Sequence, residues 1–308
     1  MVLVIRINNM WIINNRKIFY TFSSILVAVI IGLLFTWGIK FGIDFTGGSL
    51  IELSFQEEVP THEELNTKLD NYEFISGYSL RSSGDSSEIL RSKEITDEQK
   101  NTIVSGLQES YSVTESRFSN IGPSLGNELK TKAVFAVLLA LLLIVLFIAY
   151  SFRHVSKPIS SWKYGGITVV AFLHDLIIPL GVFSIMGQFA GLEVDSLFIT
   201  ALLVILGYSI NDTIVVFDRI RENLAEVPDD LKEKKFNNVV GKSINETISR
   251  SINTSFTTLL ALTALYIFGG AVTQAFSLAL IAGVLAGTYS SIFLASPLLV
   301  SLNNMSKK

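Results

Sequence analysis

The side chains able to do chemistry in this sequence are few, and the most telling ones sit among apolar neighbours. Asp175 falls in the middle of one apolar run, 164–186, directly after His174; Asp212 falls in another, 196–217, about five residues past its middle. A carboxylate placed in hydrocarbon costs on the order of 2.5 to 3.5 kcal/mol on insertion scales, so each one needs a reason beyond packing. Tyr208, Asp212 and Val215 or Val216 share a helical face, with Ser209 and Thr213 flanking the acid. A polar stripe on a lipid-compatible helix should turn inward to a bundle. Hydroxyls would suffice as glue between helices, so the ionisable acid points to a proton or ion site, the alternative being a structural hydrogen-bonded patch. Arg250 opens a further apolar run, with Thr247 at i−3 and Thr254 at i+4 on the same side. Alone it reads as a snorkelling or positive-inside residue. Paired with Asp212 it becomes a fixed counter-charge: Arg keeps its proton, so protonating the Asp would strand a buried cation and helix packing would have to respond.

His174 and Asp175 read either as a polar packing contact or as a support for proton movement. They make a poor metal site, since no second His or carboxylate cluster lies nearby and the chain has only three His (His62, His154, His174) and no Cys. No cofactor is expected beyond a coupling ion. Enzyme chemistry is not expected either: there is no Gly-x-Ser-x-Gly elbow, no His-Glu-x-x-His helix and no Walker-type glycine loop. An intramembrane aspartyl protease would need two aspartates, but Gly207-Tyr208-Ser209-Ile210-Asn211-Asp212 lacks the Gly-x-Gly-Asp pattern.

The elements that must position these residues are membrane helices. Of 308 residues 49% are hydrophobic and 17% charged, and the mean hydropathy is +0.49, too apolar for a soluble domain of this size. The formal charge of −3 argues against a nucleic-acid partner. Crossing roughly 30 Å of hydrocarbon takes about 20 apolar residues, which gives six spans: 18–39, 133–152, 164–186, 196–217, 252–270 and 271–302. The first is too long for a signal-peptide core and runs into Lys40-Phe41-Gly42-Ile43-Asp44 with no small-residue cleavage site, so it reads as a retained helix.

Lys and Arg set the expected orientation. Arg6, Arg16 and Lys17 precede the first span, Arg153, Lys157 and Lys163 follow the second, seven follow the fourth, and Lys307 and Lys308 end the chain. The connections after the third and fifth spans have none, which puts both termini, 1–17 and 303–308, in the cytoplasm. The connection 218–250, with seven basic and seven acidic residues, reads as a solvated loop or short helical hairpin on the same side.

The segment 40–132 then lies outside, with 9 basic and 16 acidic residues. Ile51, Leu53 and Phe55 alternate as a strand, Thr61 to Glu64 is a capping box, strand-like runs come next near 74–81 and 86–92, Thr96 to Gln99 caps a second helix, and 111–119 is a last strand. The order β-α-β-β-α-β is that of a small α+β ferredoxin-like domain. In the last span Ala275, Ala279, Gly283, Gly287, Ser291 and Ala295 form a small-residue ladder for close helix approach, to a helix of this chain or of a partner.

Four motifs, in order along nearly the whole chain, carry a family resemblance: Phe41-Gly42-Ile43-Asp44-Phe45-Thr46-Gly47-Gly48-Ser49; Ile121-Gly122-Pro123-Ser124-Leu125-Gly126; His174-Asp175; and the long run from Gly207 through Asp212 to Asn223. The sequence resembles the SecD/SecF family of bacterial protein-export membrane proteins, in the RND superfamily. The resemblance implies a polytopic α-helical half-transporter of six transmembrane helices in the bacterial cytoplasmic (inner) membrane, with a periplasmic domain between helices one and two. It implies SecD as partner, the SecYEG translocon with YajC and YidC alongside, a translocating preprotein as cargo, and the proton-motive force as the drive. By motif, Asp212 would take up and release protons, Arg250 would be its partner and Thr254 would line the same path, with Asp175 a supporting member. Gly47, Gly48, Gly122 and Pro123 would be the hinge through which tilting helices swing the outer domain. The alternative is an RND-like proton-coupled exporter of lipid or small molecules, for which an outer segment of 93 residues, 40–132, looks small. A third reading makes the chain an assembly subunit whose polar stripe only packs helices.

Overall fold

The computed structural model describes residues 10–57, 59–75, 77–84, 86–153 and 159–305. Arg6, His154, Lys157, Lys307 and Lys308, which entered the charge and ligand arguments above, lie outside the described residues.

A short helix α1 (Trp11–Asn14) leads into α2 (Arg16–Thr36), and a turn of helix α3 (Ile43–Thr46) leads into the sheet domain. The domain runs β1 (Gly48–Phe55), α4 (His62–Leu69), β2 (Ser79–Ser83), β3 (Ser87–Ser92), α5 (Asp97–Gln108) and β4 (Val113–Ile121). Both helices start on the capping boxes seen in the sequence: Thr61 accepts from the Glu64 N–H and Thr96 from the Gln99 N–H, while the Glu64 and Gln99 side chains accept in return. The sheet order is β2-β3-β1-β4, every pair antiparallel. That is the ferredoxin-like arrangement expected from the pattern. Ile51, Leu53 and Phe55 meet Leu65, Leu69, Ile103 and Leu107 in the domain core. The strands also place Leu50, Arg81, Ile89 and Arg117 around a cavity of about 110 Å³ shared with Leu192, Glu193 and Asp195.

Among the described residues six helical stretches are long and apolar enough to cross a membrane: α2, α6 (Pro123–Ser151), α7 (Ser161–Ala190), α8 (Ser196–Ala225), α9 (Asp229–Phe268), and Ala271–Met305. The last is built from α10 (Ala271–Tyr289), one π-helical stretch (Ser290–Ala295) and α11 (Ser296–Met305). Local chemistry sets the ends. Pro123 opens α6, where its missing N–H costs nothing. Gly191 closes α7 in the left-handed conformation, φ 64°. Asp195 caps α8 by accepting from the Phe198 N–H at 2.8 Å.

Of the two forms expected for the charged connection 218–250, loop or helical hairpin, it takes the hairpin, built as continuations of the two membrane helices. α8 continues to Ala225 and α9 begins at Asp229 and runs unbroken for 40 residues, about 60 Å of helix. The first half of α9 contains no apolar run because it is amphipathic: Phe236, Val240, Ile244 and Ile248 are buried at helical spacing and join Phe217, Ile220 and Leu224 of α8 in one cluster. Polar braces complete the hairpin, with Arg219 Nε on Glu246 at 2.6 Å and Asn223 Nδ2 on Ser243 at 2.9 Å.

Inside the bundle two apolar clusters divide the length of the helices. One gathers Phe172, Phe183, Phe198 and Ile205; the other gathers Phe152, Tyr164, Phe217 and Phe236. Between them along α7, α8 and α10 comes a band of buried polar side chains, with Asp175 and Ser209 fully buried and Asp212 5% exposed.

Candidate functional site in the membrane bundle

Close helix approach makes the polar band possible. A Cβ on Gly283 would lie 2.2 Å from Ile205 Cδ1, and one on Gly287 would lie 2.9 Å from Ser209 Cβ. The small-residue ladder of the last span therefore packs, at these two rungs, against α8 of the same chain. With α10 this close, Ser290 reaches across to α7.

Asp175 is held by hydroxyls from two other helical segments. Its Oδ2 accepts from Ser209 Oγ at 2.5 Å and from Ser290 Oγ at 2.8 Å, and its Oδ1 lies 3.0 Å from His174 Nδ1. The His174 ring stacks on Tyr289, centroids 5.7 Å apart, and Tyr289 donates to the Phe19 carbonyl of α2 at 3.2 Å, with Ser23 Oγ 3.0 Å away. His174 Nε2 is buried without a hydrogen-bond partner.

Asp212 is placed differently. Its Oδ2 is buried with no hydrogen-bond partner. Ser251 of α9 lies within its electrostatic reach, yet Ser251 Oγ is likewise outside any hydrogen bond of normal geometry. Around this pair the hydroxyls are paired: Thr213 Oγ1 with Ser291 Oγ at 2.8 Å, Tyr208 Oη with Ser255 Oγ at 3.1 Å, and Ser255 Oγ with Thr288 Oγ1 at 2.5 Å.

Arg250 is not part of this arrangement. Among the described residues no ion pair joins it to Asp212; it is exposed, and with Asp218, Arg219, Glu222, Glu246 and Thr247 it lines a cavity of about 360 Å³. Thr254 is also exposed. The reason is helical phase. The buried face of α9 carries Thr247, Ser251 and Ser255, and Arg250 sits one residue, about 100°, away from Ser251. The i, i+4 spacing of those three residues was the available sequence signal. Ser290 and Tyr289 carried none, because their roles depend on how α10 meets α7.

The four glycine and proline positions flanking the sheet domain come together in one joint. Gly47 has φ 73° and Gly48 φ 118°, both favouring glycine. A Cβ on Gly47 would lie 2.9 Å from Pro123 Cα, and one on Gly48 would lie 2.6 Å from the Ser92 carbonyl oxygen. Gly122 caps α6 in extended conformation.

Beside the joint the domain is bound to the α7–α8 loop. Phe41 and Val194 form a parallel bridge, with Gly42 N–H donating to the Val194 carbonyl and Val194 N–H to the Lys40 carbonyl, both at 2.8 Å. Arg91 pairs with Glu193 and donates to the Phe41 carbonyl at 3.0 Å, while Arg81 donates to the Gly191 carbonyl at 2.9 Å. Asp44 accepts from the Ser196 N–H at 2.8 Å. Burial pushes the Glu193 carboxyl above the usual glutamate range, outweighing the pull of Arg91 and Arg81, and burial likewise raises Asp195.

The joint also carries the family signature. Residues 32–59 match the SecD/SecF GG motif, and residues 99–305 match the C-terminal region of the protein export membrane proteins SecD/SecF. The chain belongs to the SecD/SecF family. Protein translocase subunit SecF of Thermobaculum terrenum is 37% identical over 307 residues, covering 95% of this chain and 94% of the relative. That of Desulfurispirillum indicum is 40% identical over 287 residues, covering 90% and 87%. The crystal structure of SecDF, a translocon-associated membrane protein from Thermus thermophilus, matches 99% of this chain with a TM-score of 0.83 and 33% identity. SecDF in a super-membrane-facing form matches with a TM-score of 0.68 and 32% identity. This SecD/SecF-family chain spans 40% of each of those SecDF chains. Within it the paired glycines of the GG motif are the ones pressed against Pro123 and Ser92.

Proposed function

We propose that this chain is the SecF-type subunit of a bacterial protein translocase, working beside a SecD-type partner at the Sec translocon and using the proton-motive force to draw preprotein across the cytoplasmic membrane. The relatives are named as translocase subunits, and the 40% share of the SecDF chain leaves room for a SecD half. The termini face the cytoplasm and the sheet domain faces the far side, where it meets the emerging polypeptide.

The observation that carries the proton-coupled reading is Asp212: an acid 5% exposed in a membrane-spanning bundle, one oxygen unpartnered, with Ser251 opposite. An acid so placed cannot change protonation without changing what its surroundings must offer. Among the described residues no cation pairs with it. Its ionised form would draw Arg250 inward, which takes a turn of α9 by about 100°. One elementary charge crossing 100 mV is worth about 2.3 kcal/mol, enough to shift a two-state equilibrium roughly fifty-fold. Since α6 meets the sheet domain at the Gly47–Pro123 joint, repacking of the bundle reaches the domain through that contact.

The test is late-stage release of an exported protein from cells lacking this chain, rescued with wild type or with Asp212→Asn at matched membrane levels. Wild type should rescue and the Asn variant should not. Equal rescue by both would reduce Asp212 to packing, and rescue by neither would turn the assignment toward a small-molecule exporter.

A further inference from the structure

Two buried acids share this bundle, and the reading above uses only Asp212. Asp175 is fully buried and holds three polar contacts, two of them from α8 and the last span. The last span departs from α-helical geometry at the level of both acids: residues 290–295 are π-helical, and Ser296 Oγ donates to the carbonyl of Ser291, five residues earlier, at 2.8 Å. A π-helical turn inside an α-helix inserts one residue, shifts the phase of the helix beyond it and is common at functional sites. Here it presents consecutive hydroxyls to both acid-bearing regions. Ser290 Oγ donates to Asp175, while Ser291 Oγ bonds Thr213, the residue after Asp212. Ser209, which also donates to Asp175, lies one helical turn before Asp212 on α8.

We propose that Ser290 and Ser291 are positioning residues that couple the two acids, so that the hydrogen bonding of Asp175 sets the placement of Asp212 through the π-helical turn. This rests on the reading of Asp212 as a titrating acid and deepens it. The link is short: the two serines that donate to Asp175 are each fixed in a backbone that also places an Asp212 neighbour. The titratable groups near the two acids are His174 on α7, Tyr208 on α8 and Tyr289 at the end of α10; α2 offers the hydroxyl of Ser23 and α9 those of Ser251 and Ser255. Among the described residues no Lys or Arg forms an ion pair with either acid.

The experiment is an infrared pH titration of the purified full chain in lipid, following the carbonyl stretch of protonated buried carboxyls. Asp175→Asn and Asp212→Asn assign the bands. Loss of a hydrogen bond to a carboxylate moves a titration by about half a pH unit or more. If the acids are coupled, the Asp212 midpoint moves by that amount in Asp175→Asn, in Ser290→Ala and in Ser291→Ala. Ser277→Ala is the control: this buried serine donates to the Thr273 carbonyl of its own helix and should leave both midpoints in place. Should Ser290→Ala fail to fold, Ser209→Ala removes the other hydroxyl on Asp175 and carries the same expectation. An Asp212 midpoint unmoved in the variants that fold overturns the coupling, as does the absence of any titrating Asp212 band. Export separates this from the broader reading: if Asp212→Asn abolishes export while the midpoint stays fixed, only the coupling falls.

Discussion

Asp175 has hydrogen-bond partners on both oxygens, while Asp212 keeps one oxygen without any, although the two lie in the same band of the same bundle. Through these contacts Asp175 ties α7 to α8 and to the last span, whereas Asp212 keeps an oxygen open on α8. The ties depend on a backbone approach that only glycine permits. Gly283→Ala should destabilise the chain by about 1–3 kcal/mol, since its Cβ would lie 2.2 Å from Ile205. Gly207→Ala, where nothing lies within 4 Å of the added atom, should be neutral or slightly stabilising because Ala is the better helix former. Thermal unfolding of the two variants in the same detergent checks the contrast.

Among the elements, the connection between sheet domain and bundle has a covalent and a non-covalent part. The covalent part is the GG joint, where β1 and α6 leave side by side. The non-covalent part is the strand-like bridge at Phe41 and Val194, braced by Arg91 and Arg81. Arg91→Ala removes a charged donor from the bridge and should speed amide exchange at Gly42 and Val194 by roughly tenfold. Acidity acts on the same contact with a definite sign. The docked Glu193 has its affinity for a proton raised by burial, so its contribution to docking is complete below the ordinary glutamate range and is lost as pH rises through the raised value. Asp195 acts in the same direction. Exchange at Gly42 and Val194 should therefore slow on acidification beyond the intrinsic chemical effect, and the extra slowing should vanish in Glu193→Gln with Asp195→Asn.

At the scale of the whole molecule, one end carries a small antiparallel sheet domain and the other a helical hairpin extending α8 and α9 past the apolar part of the bundle. The proposed topology makes these two ends face opposite compartments. The absence of cysteine allows a direct test. Glu63→Cys on α4 should react with a membrane-impermeant thiol reagent in intact cells lacking an outer barrier, and Lys235→Cys on α9 should react only after permeabilisation. The reverse pattern would invert the topology. α2 and α6 bury few of their apolar side chains and leave about half of them exposed, consistent with faces covered by lipid or by the SecD-type half.

Much of this was legible in the residues because it is local. Six apolar stretches, two capping boxes, period-two alternation and the paired glycines each act within about 20 residues, so their physics is complete in the sequence. The acids Asp175 and Asp212 could be singled out for the same reason, since the cost of burying a carboxylate depends on its immediate apolar neighbours. The partners those acids face were decided only by tertiary structure. Helical phase turned Ser251 inward and Arg250 outward, a difference of one residue that spacing from an uncertain helix start cannot resolve. The π-helical turn that brings Ser290 to Asp175 depends on the packing of α10 against α8 and α7. The amphipathic half of α9 found its partner in α8 only once the hairpin closed. Local propensity and hydropathy place a residue in an element; its hydrogen-bond partners come from other elements, and those contacts exist only when the elements are packed together.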